Sequence, residues 1–448
     1  MTAWFDRERT RAILVLAGPI IGGMASQMIL NVVDAAMVGQ LGPAAQGAVG
    51  LGSFTFFVLA NLTICLGTGV QAIVSRRDGE GQPDGAGAAL DTGLVLALLL
   101  ALPLGGAFSF AAPTIFGWLS DDPTVLEGGQ SYLAIRLMAL GVVTANYCFR
   151  GFWNGIGRSR TYLATLVVIH SSNLLLNWIL IFGNLGAPQL GVRGAALASA
   201  LAAALGTVSY VVLAVANREV RERYRPFRFS ALSMGVARNL ARLSWPEAVR
   251  GVGLMGGFLL FSRIHSHIGT RELAAGTILV QLASVGFLPA LGFGLAGATF
   301  VGRALGRGDP EEARAMVWQT LRIALVLLLV PSAALQVAPD VILGVFTPDG
   351  VVVDLARPAL RVLSVSFLVD AIPFVVIYSL LGAGATRWAA GVQLGAQYLV
   401  LLPLGWLLGV TLGWGVLGLW LAMLGSRVGL AALALRKLRS DGWTQIAV

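Results

Sequence analysis

Long apolar stretches alternate with short polar ones along almost the whole chain. A transmembrane helix needs about 20 mostly apolar residues, and twelve stretches meet that requirement. We place them at residues 13–38, 48–74, 90–112, 131–153, 161–183, 191–216, 246–268, 273–300, 316–338, 359–383, 388–409 and 413–435. The pattern predicts an all-α polytopic membrane protein with twelve transmembrane helices.

Composition excludes a soluble globular protein. Of the 448 residues, 56% are hydrophobic and 12% are charged, and the mean hydropathy is +0.79. That apolar fraction is typical of chains embedded in a bilayer. The net charge of +9 does not indicate nucleic-acid binding, because the basic residues flank the apolar stretches. The two cysteines, Cys65 and Cys148, lie inside apolar stretches and are expected to be packing thiols.

The distribution of arginine predicts the orientation in the membrane. The N-terminal segment holds Arg7, Arg9 and Arg11, and residues 217–245 hold seven arginines. Loops on the opposite side, such as residues 120–128, carry few basic residues. Because basic loops stay in the cytoplasm, we expect both termini and the 217–245 segment to be cytoplasmic, in the inner membrane of a bacterium.

The chain repeats itself. The segment "VSRRDGEGQPDGA" at 74–86 aligns with "VGRALGRGDPEEA" at 301–313, an offset of 227 residues. The same offset superposes Pro19 on Pro246 and Gly67 on Gly294. We therefore predict two six-helix lobes, 1–216 and 246–448, joined by a basic linker at 217–245 and related by a pseudo-two-fold axis. Parallel repeats of this kind flank a central cavity in transporters.

Polar side chains form a stripe on the first predicted helix. Gln27, Asn31 and Asp34 are spaced i, i+4, i+7 and so share one helix face. A polar stripe can simply join helices, but a carboxylate costs ~2.5–3.5 kcal/mol at the centre of a membrane helix. That cost favours a functional role for Asp34.

The fifth predicted helix carries a second polar pair, Asn173 and Asn177, one turn apart. Counted from the cytoplasmic ends, Asn177 and Asp34 lie at similar depth, so these groups could line one pocket. The residues 227 positions after Asp34 and Asn173 are Phe261 and Val400. Because the repeat has lost the polar set, we interpret it as functional rather than architectural.

The second half has its own intramembrane acid, Asp370, where the first half has Val143. Pro373 frees the carbonyl of Val369, so both a functional role and a bond at the kink stay open for Asp370.

The three histidines give no metal site. His265 and His267 alternate at a helix end, the wrong spacing for one face, so packing is expected. His170 is expected to be a hydrogen-bonded core histidine, with a proton-relay role also open.

Four segments together resemble the multidrug and toxic compound extrusion (MATE) transporters, most closely the DinF-like branch. They are "NVVDAAMVGQLG", "NLLLNWILIFG", "GVRGAALASALA" and "DAIPFVVIYSLLGAGATR". The resemblance implies two lobes around a V-shaped cavity and export of amphiphilic, often cationic compounds in exchange for protons or sodium ions. It implies cation coupling at Asp34, with Gln27, Asn173 and Asn177 beside it.

The chain departs from the family pattern at two positions. Many relatives have an aspartate where this chain has Asn177, and the NorM branch has a glutamate where this chain has Leu254. Asp370 does match the NorM aspartate. One remaining carboxylate in the first lobe favours protons over sodium as the coupling ion.

These observations predict a monomeric antiporter in the lipid bilayer for small amphiphilic or cationic molecules, without cofactor, metal or nucleic acid. In an apolar pocket the charged form of Asp34 is disfavoured, so proton binding would switch its charge while the lobes rock about the linker. Alternatives are a lipid or polysaccharide flippase of the same superfamily and a major facilitator transporter. An enzyme is not expected, because the sequence shows no nucleophile–base cluster.

Overall fold

The structure of the chain is a computed structural model that describes residues 6–228 and 232–446. Regular secondary structure in these ranges is helical throughout. The all-α class predicted from the apolar pattern is therefore confirmed. Contacts divide the chain into two compact units, which are described separately.

The first unit spans Gly18–Ala248. Most of its residues belong to eight helices within the described ranges, the first of which begins before the unit does. They are α1 Arg7–Gly39, α2 Pro43–Ile64, α3 Leu66–Gly79, α4 Pro83–Leu119, α5 Pro123–Met138, α6 Leu140–Gly155, α7 Ser159–Phe182 and α8 Gly191–Ala216.

The second unit starts at Val249 and also takes the described residues up to Ala17. Its helices are α9 Met234–Ile268, α10 Thr270–Gly306, α11 Pro310–Val337, α12 Pro339–Gly344, α13 Gly350–Leu381, α14 Thr386–Gly395, α15 Leu402–Gly405 and α16 Gly415–Arg439. A wide π-helical segment, Ala396–Leu401, joins α14 to α15, and a second one, Trp406–Thr411, follows α15, so that Thr386–Thr411 is one continuous span.

Ten helical spans in the described ranges are long and apolar enough to cross a membrane, and a bent pair of helices makes eleven. The one predicted span that does not meet this test, residues 246–268, lies in α9. Its charged residues, among them Glu247, Arg250 and Arg263, lower its hydropathy. Membrane crossing by α9 therefore follows from the internal repeat, in which α9 corresponds to α1.

The predicted span at 131–153 corresponds to a bent pair of helices. The chain bends by 51° between α5 and α6, at Ala139. Beside the bend, a Cβ added to Gly105 of α4 would lie 2.3 Å from the carbonyl oxygen of Leu137. Only a glycine allows this backbone approach, so α4 packs directly against the broken segment.

The beginning of α1 packs with the second unit. Arg9 Nη2 lies 2.6 Å from Glu312 Oε2, and Gln319 Nε2 donates to Thr10 Oγ1 at 2.8 Å. Both partners lie on α11. Polar contacts thus tie the first turn of α1 to a helix in the second half of the sequence.

Part of the predicted linker 217–245 is helical. Residues 229–231 lie outside the described ranges, and α9 already begins at Met234. The preceding part is tied to the first unit: Tyr224 Oη donates to Asp78 Oδ1 at 2.7 Å, and the backbone N–H of Phe227 donates to Asp91 Oδ1 at 2.7 Å.

The repeat is visible in the structure. Helices α2, α4 and α7 begin 227 residues before α10, α11 and α14. A Cβ on Gly67 would lie 2.4 Å from the Tyr147 carbonyl oxygen, and a Cβ on Gly294 would lie 2.6 Å from that of Phe374. These two close contacts are also 227 residues apart, so each half builds the same helix crossing.

Candidate functional site

The polar stripe on α1 is continuous. Gln27 Nε2 donates to Asn31 Oδ1 at 3.0 Å, as expected for side chains one turn apart. Gln27 and Asn31 are exposed, and Asp34, at the end of the stripe, is half-buried. The polar stripe therefore covers the face of α1 from Gln27 to Asp34.

Helix α7 presents the second polar pair to that stripe. Asn177 Nδ2 donates to Asp34 Oδ1 at 2.7 Å and to Asn173 Oδ1 at 3.1 Å. Asn173 Nδ2 in turn donates to Ser199 Oγ on α8 at 3.3 Å. Asn173 and Asn177 are buried, with 3% and 1% of their surface exposed. The structure thus brings Asp34, Asn173 and Asn177 into one hydrogen-bonded group.

A second contact joins the same two helices. His170 Nε2 lies 3.1 Å from Gln27 Oε1, and because that oxygen can only accept, Nε2 carries the proton. His170 precedes Asn177 by seven residues, as Gln27 precedes Asp34. Seven helical residues span about 10 Å, so α1 and α7 meet at two polar levels. His170 is hydrogen-bonded, as expected for it.

Two buried atoms of this group accept no hydrogen bond from the described residues. They are Asn177 Oδ1 and His170 Nδ1. Such atoms carry a desolvation cost that a further donor would relieve. Either atom can therefore accept a hydrogen bond from a further donor.

Arg136 of α5 was not among the predicted site residues. Its guanidinium exerts a Coulombic attraction on the Asp34 carboxylate and lies 4.3 Å from the centroid of the Phe56 ring. A charged residue inside the predicted apolar stretch 131–153 is the signal that could have found it. Its counterpart in the repeat is Leu363, so this cation too is absent from the second half.

The second unit lacks the polar group. Phe261, the counterpart of Asp34, is buried and packs edge-on against His265 at 4.7 Å between centroids. His267 stacks instead on Trp406 at 5.1 Å. The two histidines have separate aromatic partners, and no group of three or more His, Cys, Asp or Glu side chains in the described residues could hold a metal ion.

Asp370 has a partner that the sequence did not indicate. Arg427 Nε of α16 lies 3.4 Å from Asp370 Oδ1, and its guanidinium lies 5.2 Å from the centroid of the Phe374 ring. Asp370 is therefore one member of an ion pair within the second unit. Asp34, in contrast, belongs to the first unit.

A family model described as MatE matches residues 19–179 and 246–407. The chain is 30% identical over 427 residues to the probable multidrug resistance protein NorM of Agrobacterium fabrum, covering 93% of this chain and 90% of the relative. It is 24% identical over 451 residues to the probable multidrug resistance protein NorM of Thermotoga maritima, covering 98% and 94%.

Among solved structures, the chain is similar to a multidrug resistance MATE family transporter of the MOP superfamily in an outward-facing conformation. The TM-score is 0.88 at 21% sequence identity, covering 96% of this chain and 95% of that chain. At this identity the likeness shows the fold, which is the twelve-helix, two-lobe fold. The matched family model spans corresponding parts of both sequence halves, in agreement with the repeat.

Proposed function

Because this chain belongs to the MATE family of transporters, we propose that it exports amphiphilic, often cationic compounds in exchange for protons bound at Asp34. Family membership and the relatives named as multidrug resistance proteins support a multidrug efflux transporter. Membership also argues against the major facilitator alternative. The DinF-like branch stays a prediction, since the relatives compared carry the NorM name.

The observation that carries the proposal is the hydrogen bond from Asn177 Nδ2 to Asp34 Oδ1, at 2.7 Å. An amide is a suitable neighbour for a carboxyl group that changes its protonation state. Its NH₂ donates to the carboxylate, and its oxygen can accept from the protonated carboxylic acid. Asn177 Oδ1 is buried and accepts no hydrogen bond from the described residues, so it is free for that second role.

The charge of the site favours protons over sodium. Asp34 is the one carboxylate in the hydrogen-bonded group, the other members Asn173, Asn177 and Ser199 are neutral, and the charged residue that acts on Asp34 from α5, Arg136, is itself a cation. Hard cations prefer several oxygen ligands, carboxylates among them. A proton needs only a single carboxylate and a hydrogen-bond acceptor beside it, which this group supplies.

Charge switching at Asp34 then links proton entry to substrate release. The ionised carboxylate attracts a cationic substrate when the site is open to the cytoplasm. When the site is open to the other side, proton binding removes the charge and the substrate leaves. Removal of a carboxylate from water disfavours its charged form, which makes this exchange accessible. We place both termini in the cytoplasm, the protein in a bacterial inner membrane, and the transporter as a monomer.

Purified protein in liposomes tests the coupling ion. Proton and sodium gradients are imposed separately, and export of a fluorescent cationic dye is recorded. We expect the proton gradient to drive export and the sodium gradient, at equal pH on both sides, to drive none. Dye export that needs sodium and ignores collapse of the pH gradient would overturn the proposal.

A further inference from the structure

The second unit holds an ion pair within its predicted transmembrane spans. Asp370 lies on α13 and Arg427 on α16, with 3.4 Å between Oδ1 and Nε. Their side chains are 17% and 25% exposed. Charges in hydrocarbon are costly and are tolerated where they are paired. The pairing therefore explains how both residues are accommodated at these positions.

The surroundings hold the guanidinium in place. Arg427 lies over the ring of Phe374, one turn after Asp370, at 5.2 Å from its centroid. The edge of Phe287 meets the same ring, at 4.8 Å between centroids. A guanidinium over an aromatic face gains cation–π attraction. The contact with Phe374 thus holds the Arg427 guanidinium next to Asp370.

Arg427 is the charged group that stabilises the Asp370 carboxylate. Asp370 Oδ1 accepts no hydrogen bond from the described residues, so the interaction with Arg427 is ionic. Arg250 also contacts α13. Its guanidinium donates to Gln393 Oε1 at 2.6 Å and to Tyr378 Oη at 3.1 Å, and Tyr378 lies two turns after Asp370.

The two intramembrane acids differ in their partners. Asp34 accepts from a neutral amide and forms no salt bridge in the ranges that the structure describes. Asp370 faces a cation that is covalently part of the chain. Arg136 acts on Asp34 only from beyond ion-pair distance, so an ion from solution can add to that carboxylate, whereas at Asp370 it would have to displace a guanidinium in direct ionic contact.

We propose that Arg427 is a built-in counter-ion of Asp370, which keeps the second unit from taking up a mobile cation during transport. Arg427 then determines where the coupling ion binds: the ion is exchanged at Asp34 and does not bind at Asp370. This inference rests on the proposed function for its meaning in transport. In physical terms, loss of the guanidinium leaves the Asp370 carboxylate unpaired, and a proton or a sodium ion then binds to it.

Thermal unfolding of the purified protein tests this without any transport measurement. Wild type, Arg427→Gln and the double variant Arg427→Gln/Asp370→Asn are compared in sodium chloride and in choline chloride of equal ionic strength, each at two pH values. We expect Arg427→Gln to melt several degrees lower than wild type in choline chloride. Sodium ions or acidification should restore its melting temperature, because either one neutralises the unpaired carboxylate.

The double variant is the matched control. It lacks both charges, so we expect it to regain the lost stability in choline chloride and to respond to neither sodium nor acid beyond the wild-type response. A double variant as unstable as Arg427→Gln would overturn the proposal, because it would show that Arg427 acts through packing. So would an Arg427→Gln protein that matches wild type in stability and in its response to sodium and acid.

Folding failure is also informative. If Arg427→Gln yields no folded protein, recovery of folded double variant supports the counter-ion role, and failure of both overturns it. The outcome is separable from that of the proposed function: an incorrect coupling ion would appear in the liposome experiment alone, and an incorrect counter-ion role would appear in these melting temperatures.

Discussion

At the residue scale, the two intramembrane carboxylates have different partners. Asp34 accepts a hydrogen bond from Asn177, and Asp370 is paired with Arg427. We predict that Asp34→Asn abolishes proton-coupled dye efflux while folding and insertion persist. The amide is nearly isosteric, and it removes a charge that is costly in lipid. Efflux from cells expressing matched amounts of protein is the measurement.

Asp370→Asn is the variant to compare with Asp34→Asn. Removing one member of a partly buried ion pair leaves the other uncompensated, at a cost of at most about 3–5 kcal/mol. We therefore expect less folded protein from Asp370→Asn but a normal export rate per folded molecule. Normal export by Asp34→Asn together with loss of export by Asp370→Asn would move the coupling site to the second unit.

At the element scale, helix crossings depend on glycines that admit backbone atoms. A Cβ on Gly67 of α3 would lie 2.4 Å from the Tyr147 carbonyl oxygen of α6. A backbone atom cannot move aside as a flexible side chain can, so Gly67→Ala should overpack this crossing and destabilise the protein by about 1–3 kcal/mol. Thermal unfolding followed by size-exclusion chromatography in detergent measures the effect.

Gly50→Ala on α2 is the control for that substitution, because a Cβ there meets no atom within 4 Å. Alanine is the better helix former, so Gly50→Ala should be neutral or slightly stabilising. In the repeat, Gly294→Ala should behave like Gly67→Ala, since its Cβ would lie 2.6 Å from the Phe374 carbonyl oxygen. Equal stability of all three variants would contradict the packing argument.

At the scale of the whole molecule, basic residues predict which side of the membrane each loop occupies. We predict that a cysteine at exposed Ser233 is labelled by an impermeant maleimide only after the cells are opened, whereas one at exposed Asp121 is labelled in intact cells. The native Cys65 and Cys148 are buried, so background labelling should be low. Labelling of Ser233→Cys in intact cells would reverse the proposed orientation.

Much of this protein was determined by sequence alone. Apolar stretches of about 20 residues mark membrane helices, because each helix must satisfy its own backbone in lipid. The two-lobe organisation followed from the 227-residue repeat, and the polar stripe of Gln27, Asn31 and Asp34 followed from helical periodicity. Each of these signals lies within one short segment or comes from comparing one half of the sequence with the other, so none of them requires a tertiary structure.

Only the tertiary structure decided which polar groups meet. Asp34 and Asn177 are 143 residues apart, and Asp370 and Arg427 are 57 apart. The bend at Ala139 is likewise not marked by a proline in the sequence. The close approach of α4 to this bend, at Gly105, is a tertiary contact. In each case the deciding contact comes from a helix distant in sequence. Charge and periodicity place a side chain on a face, but helix packing alone determines the atom opposite it.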